Sequence, residues 1–116
     1  IQVLQGLTRE LPASENLVSY AVRLAAASRP TLEDADDWIK KHVKWGAGSR
    51  ASQALILAGK ARALLAERPN VSCEDVREMA NPALRHRILP SFLAESEGIT
   101  SDEIIDRLLE QVPESA

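Results

Sequence analysis

The strongest candidate for a binding site is the segment Gly46-Ala47-Gly48-Ser49-Arg50-Ala51, which leads into a helix rich in small residues. A cation in the first turn of a helix is disfavoured by about 0.3 to 1 kcal/mol, because the helix dipole is positive there. Arg50 makes sense in this place if an anion, phosphate above all, is brought to it, since the preceding small residues leave backbone amides accessible. A solvent-exposed arginine in a tight turn is the alternative interpretation.

Nucleophilic catalysis has three further candidates, Cys73, His42 and His86. Cys73 falls at the first position of a capped helix, where the dipole can lower the pKa of a thiol, but a lone cysteine there is more often a bystander. His42 lies among lysines and His86 between two arginines, and both surroundings disfavour a protonated imidazole. We therefore predict that neither histidine is catalytic.

Phosphate-binding and metal-binding motifs are missing. The chain has no Gly-x-x-x-x-Gly-Lys-Ser/Thr loop, so it cannot hydrolyse nucleotides by that route alone. The acidic run Glu33, Asp34, Asp36 and Asp37 lacks the spacing and the glycine of a calcium loop, and fits a solvated helix start better. No Cys/His cluster has the spacing of a zinc site, so we predict no metal ligands.

Composition predicts the class of fold that must position these residues. The chain has 116 residues and a formal charge of -3, which fits one domain. Ala and Leu number 32, whereas Val, Ile and Thr number 17, which favours an all-α fold. Cys73 cannot form an internal disulfide, and no apolar run approaches the roughly 18 residues that a membrane-spanning helix needs. A cytoplasmic protein without membrane insertion is expected.

Hydrophobic periodicity and capping residues predict four main helices plus short ones, in a small bundle. The main helices are predicted at about 14–29, 49–67, 73–88 and 100–112. Ser72 with Asp75 and Thr100 with Glu103 have capping-box spacing. Gly59, inside the second of these helices, indicates a closely packed neighbour.

Two segments are harder to assign. Pro82 should kink the third helix or split it into residues 73–80 and 82–88. Residues 31–45 suggest a short helix with an acidic start and a basic end, stopped by the turn at Gly46, but their fold stays open.

Charge is distributed unevenly. Residues 40–87 hold ten basic and four acidic groups, whereas residues 95–116 hold seven acidic and one basic. DNA binding is disfavoured, because the capped helices start with Glu74-Asp75 and Asp102-Glu103, which would repel phosphates. A stand-alone helical module that binds a protein partner through these two halves remains an alternative function.

The segment Trp45-Gly46-Ala47-Gly48-Ser49-Arg50-Ala51-Ser52-Gln53 closely resembles the Gly-Ala-(Gly/Ser)-Pro-Arg-Ala signature in the C-terminal lid domain of MoxR-type AAA+ ATPases. Further stretches fit the same family in the same order. They are Tyr20-Ala21-Val22-Arg23-Leu24, Arg29-Pro30, Leu84-Arg85-His86-Arg87-Ile88 and Glu95-Ser96-Glu97-Gly98-Ile99-Thr100.

The resemblance implies roles for several residues. Arg50 corresponds to the family's sensor-2 arginine, which would reach the γ-phosphate of ATP, with residues 46–51 beside the nucleotide. Ser49 stands where the family usually has proline; because serine can cap the same helix, we expect the geometry to persist with a less rigid turn. Arg85, His86 and Arg87 match a family motif, and we expect a structural or subunit-contact role for them.

The resemblance also implies a larger protein, in which this helical lid follows an α/β core that binds and hydrolyses ATP with Mg²⁺ in a ring, usually a hexamer. In the family, lid motion drives chaperone-like remodelling of partners, often proteins with von Willebrand factor A domains. The chain's single methionine, Met79, fits an excised piece. Residues 1–12 are expected to be a linker or short leading helix from the core, and residues 13–116 the lid. The piece alone should lack ATPase activity.

Overall fold

The structure is a computed structural model that describes residues 14–33 and 35–114. The predicted segment 1–12 lies outside the described residues. In chain order the elements are α1 (Glu15–Ala27), α2 (Asp37–His42), β1 (Val43–Trp45), α3 (Ala51–Leu65), α4 (Cys73–Leu84), β2 (Leu89–Pro90), α5 (Phe92–Ser96) and α6 (Ser101–Gln111). The mostly helical class and the four main helices, α1, α3, α4 and α6, are confirmed.

Helix α1 forms one wall of the core. Ser14 caps it, because its Oγ accepts a hydrogen bond from the Leu17 N–H at 3.1 Å. Apolar residues at helical spacing put one face in the interior. The buried residues of that face are Leu17, Tyr20, Ala21, Leu24 and Ala25. The helix ends at Ala27, and the fully buried Ser28 follows it.

Helix α3 lies at the centre of the bundle, between α1 and α4. Its small residues allow the close approach that was predicted at Gly59. A Cβ added there would lie 3.2 Å from Val76 Cγ2 and 3.3 Å from Val71 Cγ2. The start of α4 and Val71 just before it therefore pack closely against the middle of α3.

The start of α4 is tied to the end of α3 by one buried carboxylate. Asp75 is fully buried and accepts hydrogen bonds from the Ser72 N–H at 2.8 Å and the Ser72 hydroxyl at 3.1 Å. Arg62 Nη1 and Arg68 Nη1 each donate to it at 2.7 Å. The predicted capping box is confirmed, and it is part of a larger ionic cluster.

Helix α4 does not split at Pro82. It runs without a break from Cys73 to Leu84 with the proline inside it, and residues 85–87 form a turn rather than a second helical piece. The alternative in which Pro82 splits the helix into residues 73–80 and 82–88 is therefore wrong, and a kink at Pro82 stays a prediction. Pro82 lies only two residues before the end of the helix, so it disturbs a single turn.

A small antiparallel sheet, which the all-α prediction did not include, follows α2. Val43 pairs with Pro90 and Trp45 with Leu89, with an irregularity between the two pairs. Residues 37–45 are therefore a short helix, which ends at His42, followed by a strand. The Ser91 N–H donates to the His42 carbonyl oxygen at 2.9 Å, which fixes the far side of this ladder.

Helix α6 closes the bundle. The Thr100 hydroxyl accepts from the Glu103 N–H at 3.3 Å, as its sequence spacing predicted, and Ile104, Ile105 and Leu108 are fully buried. Arg23 of α1 donates to the carbonyl oxygen of Pro113 at 2.5 Å, just past the helix end. None of the helices formed by residues 14–33 and 35–114 is long and apolar enough to cross a membrane.

Candidate functional site

Arg50 occupies the N-cap position of α3, with φ -85° and ψ -7°. Its side chain is exposed. No hydrogen bond or ion pair joins it to another residue of the described ranges 14–33 and 35–114. The guanidinium therefore carries a charge that the described part of the chain does not use.

The loop before Arg50 begins with a glycine that packs directly against the chain. A Cβ added at Gly46 would clash with the carbonyl oxygen of Ser28 and lie 2.6 Å from the Cα of Arg29. A Cβ at Gly48, by contrast, would meet nothing within 4 Å. The two glycines thus serve different purposes, since only Gly46 is required for close backbone contact with the end of α1.

Ser28 fixes the next residue of the loop. Its hydroxyl donates to the Ala25 carbonyl oxygen at 2.7 Å and accepts from the Ala47 N–H at 2.8 Å. Both Ser28 and Ala47 are fully buried. The expectation that all the loop amides are accessible is therefore wrong at Ala47, whose N–H already has a partner.

Arg29 holds the loop from the other side of the peptide chain. Its Nε donates to the Ala47 carbonyl oxygen at 2.8 Å, and its Nη2 donates to the Gly48 carbonyl oxygen at 3.2 Å. The Gly48 carbonyl also accepts from the Ala51 N–H at 3.1 Å, which closes the turn into α3. Ala51 is buried, so the loop is anchored at both ends.

Ser49 is exposed and precedes the cap position by one residue. The prediction that Ser49 caps α3 is wrong, because Arg50 is the N-cap residue and no side chain accepts a hydrogen bond there. In the part of the chain that the structure describes, the amides of Gly48, Ser49 and Arg50 have no acceptor. The N–H groups of these three residues and one guanidinium are therefore available at this helix start.

The N-terminus of α3 differs from every other helix start among the described residues. Each of the other five helices has an acidic residue in its first turn, which complements the helix dipole. Helix α3 has none, and a cation takes the cap position. An anion supplied from outside would satisfy both the dipole and the free amides.

Sequence analysis missed Ser28 and Arg29 as parts of this site. In the sequence, Arg29-Pro30 carries only a family resemblance. The available signal was the placement of a hydroxyl and a guanidinium directly at the end of a helix, where such side chains bind backbone groups of neighbouring segments. Which segment they bind depends on the tertiary fold.

Cys73 and His42, both candidates for nucleophilic catalysis, lie in surroundings that suit structural roles. Burial raises the pKa of the Cys73 thiol, and the negative charge of Glu114 adds to this, so the lowering expected at a helix start does not occur. His42 is buried, with Nδ1 2.8 Å from the Trp38 carbonyl oxygen and Nε2 3.3 Å from Glu97 Oε2. The first contact lies within α2 and the second joins α2 to Glu97 at the end of α5, so both ring nitrogens have partners.

Arg85 joins the end of α4 to the start of α6. Its Nε lies 3.0 and 3.1 Å from the two carboxylate oxygens of Asp102, and this contact lowers the pKa of Asp102, with help from Asn81. Arg87 donates to the Ala83 carbonyl oxygen at 3.2 Å, and His86 is exposed. The Arg85 contact fits the structural role expected for this motif.

Metal binding has no counterpart in the described ranges. Within residues 14–33 and 35–114, no group of three or more His, Cys, Asp or Glu side chains could hold a metal ion. The loop itself presents N–H groups and a guanidinium, which are donor groups suited to an anion.

Comparison with known proteins identifies the fold family. The AAA lid domain family matches residues 35–108 of the chain. The chain belongs to this family. The matched range contains the loop and Arg50, whereas Ser28 and Arg29 lie just before it.

Two individual proteins are similar to this lid domain. Chaperone MoxR1 of Mycobacterium tuberculosis is 34% identical over 96 residues, which cover 83% of this chain and 26% of MoxR1. A crystal structure of a candidate ATPase from Cytophaga hutchinsonii superposes with a TM-score of 0.85 at 32% identity, and covers 93% of this chain and 33% of that protein. The resemblance to a MoxR-type lid is confirmed. The lid domain spans only about a quarter to a third of either relative.

Proposed function

We propose that this lid domain closes over ATP held by an AAA+ core in the intact protein, and that Arg50 contacts the γ-phosphate as a sensor-2 arginine. The observation that carries the proposal is the start of α3. It is the one helix start in the described part of the chain with a cation at the cap, no acid in the first turn and three N–H groups without an acceptor.

The residues present fit a phosphate group. The amides of Gly48, Ser49 and Arg50 and the Arg50 guanidinium would hold its oxygens, because charge-assisted hydrogen bonds to phosphate are strong and arginine can form two at once. Bound ATP would supply the phosphoanhydride bond that is hydrolysed. Since no metal-binding cluster exists among the described residues, Mg²⁺ would be held by the core.

Arg50 would couple nucleotide state to domain angle. With the γ-phosphate present, the guanidinium has an anion to pair with and the lid is held closed. After hydrolysis and phosphate release, this attraction is lost and the lid is free to open. In a cytoplasmic ring, for which a hexamer is the expected form, such motion would drive chaperone-like remodelling of partners, including proteins with von Willebrand factor A domains.

Contact with the core or with a neighbouring subunit has a suitable surface. Four large apolar side chains on the small sheet and α5 are exposed. They are Trp45 at 62%, Leu89 at 44%, Phe92 at 85% and Leu93 at 42%. Trp45 and Leu89 pair across the sheet, and Trp45 directly precedes the loop. Exposed apolar residues grouped in this way are typical of protein contacts.

The proposal is tested by Arg50→Ala in the intact protein. We expect ATP hydrolysis to fall by about 10- to 100-fold, because a charged donor to the transferred phosphate is lost. Steady-state kcat and KM for ATP are the measurement. Lys44→Ala, which removes a nearby exposed cation from β1, is the matched control and should retain activity.

Unchanged kcat and KM in Arg50→Ala would overturn the sensor role. If Phe92→Ser weakened assembly of the same protein while Arg50→Ala stayed active, the chain would instead be an interaction module without nucleotide chemistry. Size-exclusion chromatography with light scattering distinguishes these results.

A further inference from the structure

We infer that Arg29 is a positioning residue that aims the free amides and Arg50 at the bound anion, with Ser28 fixing the first peptide of the loop. This inference rests on the proposed function of Arg50. Neither residue would touch the nucleotide in this arrangement. They would act by setting the orientation of the peptide groups at residues 47–49.

The contacts that Ser28 and Arg29 make with the loop all lie at its base. Gly46 lies against the backbone of Ser28 and Arg29, the Ala47 N–H binds Ser28, and the carbonyls of Ala47 and Gly48 bind Arg29. Every one of these contacts is made by residues 46–48. Among the described residues, no hydrogen bond or ion pair joins the side chain of Ser49 or Arg50 to α1, Ser28 or Arg29. The end of α1 therefore holds the base of the loop and leaves its tip open.

The planar peptide group links the directions of the loop's carbonyls to those of its N–H groups. In a planar trans peptide, the carbonyl and the N–H of the next residue point in opposite directions, and the described residues contain no cis peptide bond. Because the carbonyls of Ala47 and Gly48 point toward Arg29, the N–H groups of Gly48 and Ser49 must point away from it. Both of these amides lack an acceptor among the described residues. The Arg29 guanidinium thus determines which way the free donors face.

The type of side chain at position 29 matters as well. Nε and Nη2 of a guanidinium are fixed in one plane and can bind two successive carbonyls at set positions, 2.8 and 3.2 Å away here. A lysine ammonium at the same place is a single point with flexible reach. Arg29→Lys should therefore retain the charge but lose control over one of the two peptides.

The test is a double-mutant cycle in the intact protein, with kcat/KM for ATP hydrolysis measured for Arg29→Lys, Arg50→Ala and the double variant. We expect Arg29→Lys to lower kcat/KM by about tenfold, because small misplacements of binding groups have large effects on rate. In the Arg50→Ala background the same change should cost less than about threefold, since the guanidinium is gone and only the loop amides remain to be misplaced.

Arg23→Lys is the matched control. Arg23 also donates to two successive backbone carbonyls, those of Pro113 and Glu114, but it holds the end of the chain instead of the loop. We expect its kcat/KM to stay within about twofold of the wild type, because its contacts are separate from the loop. An equal loss in Arg23→Lys would assign the effect to general destabilisation and overturn the inference.

The outcomes separate the two proposals. If Arg50→Ala has no effect, the proposed sensor role fails. If Arg50→Ala lowers the rate but Arg29→Lys leaves it unchanged, or lowers it by the same factor in both backgrounds, only the positioning role fails. A loss of folded protein would lower the rate equally in both backgrounds, so it cannot imitate the expected coupling.

Gly46→Ala provides a second variant in case Arg29→Lys melts below the assay temperature. It pushes the loop away from Ser28 without removing any hydrogen-bonding group. We expect the same pattern, a loss of about tenfold that shrinks to less than about threefold in the Arg50→Ala background. A full loss in both backgrounds, or no loss, would count against the positioning role.

Discussion

The two ends of α3 use arginine in opposite ways. At the C-terminal end, Arg62 and the following Arg68 converge on the buried carboxylate of Asp75. At the N-terminal end, Arg50 is exposed and has no side-chain partner among the described residues. The surroundings therefore decide what an arginine does. A buried acid from the same chain makes it structural, and its absence leaves the charge for an outside anion.

The difference is also electrostatic. Burial by itself would raise the pKa of Asp75, but hydrogen bonds from Arg68, Ser72 and Arg62 outweigh it and hold the pKa well below its usual range. The Arg68–Asp75 contact in turn raises the pKa of Arg68. The charges of this cluster are therefore satisfied internally, whereas the charge of Arg50 is not.

Removing the buried carboxylate at the C-terminal end of α3 should have the largest effect. Asp75→Asn should destabilise the chain by about 3 kcal/mol, because it removes a buried carboxylate that two arginines and a helix cap share. Urea denaturation measures the change. Asp102→Asn is the control, since its pair with Arg85 is exposed at 43% and 45% and should contribute no more than about 1 kcal/mol. Equal losses in both variants would show that burial does not distinguish the two pairs.

A smaller effect appears in the dependence of stability on pH. The folded chain keeps Asp75 ionised at pH values where an unfolded aspartate, with a pKa of 3.8, takes up a proton. The stabilisation from Asp75 is therefore complete well above pH 3.8 and is lost as the pH falls below it.

Below that pH, the difference in stability between the wild type and Asp75→Asn should shrink by up to about 1.4 kcal/mol per pH unit. Urea midpoints of both proteins from neutral pH down to the acid limit test this. Asp36 and Asp102 also have lowered pKa values, but they are present in both proteins and cancel in the difference. A difference that stays constant through this range would contradict the assignment.

The smallest effect on stability is expected at the N-terminal end of α3. Arg50→Glu should stabilise the chain by about 0.5 kcal/mol, because an anion replaces a cation at the positive end of the helix dipole. In the intact protein the same variant should abolish ATP hydrolysis. Thermal unfolding and a hydrolysis assay test the two halves of this prediction. If Arg50→Glu instead destabilised the chain, Arg50 would contribute to folding and the contrast between the two ends would fail.

Local sequence signals predicted much of the fold. The caps at Ser72 and Thr100 lie where their spacing placed them, because a cap involves residues only three or four positions apart. The strand Val43–Trp45 was not predicted, because its partner lies more than forty residues away at Leu89 and Pro90. The predicted split at Pro82 is wrong, since the effect of a proline depends on how soon the helix ends.

Residue order alone indicates that Arg50 lies at the start of a helix without an acidic first turn, and residue order alone reveals the lid family. Which loop amides are free depends instead on contacts between distant segments. Ala47 loses its N–H to Ser28, while Arg29 turns the peptides after Ala47 so that the N–H groups of Gly48 and Ser49 face away from α1. These contacts join residues nearly twenty positions apart. Hydrogen bonds of this kind depend on how the helices pack, which no local pattern of residues specifies.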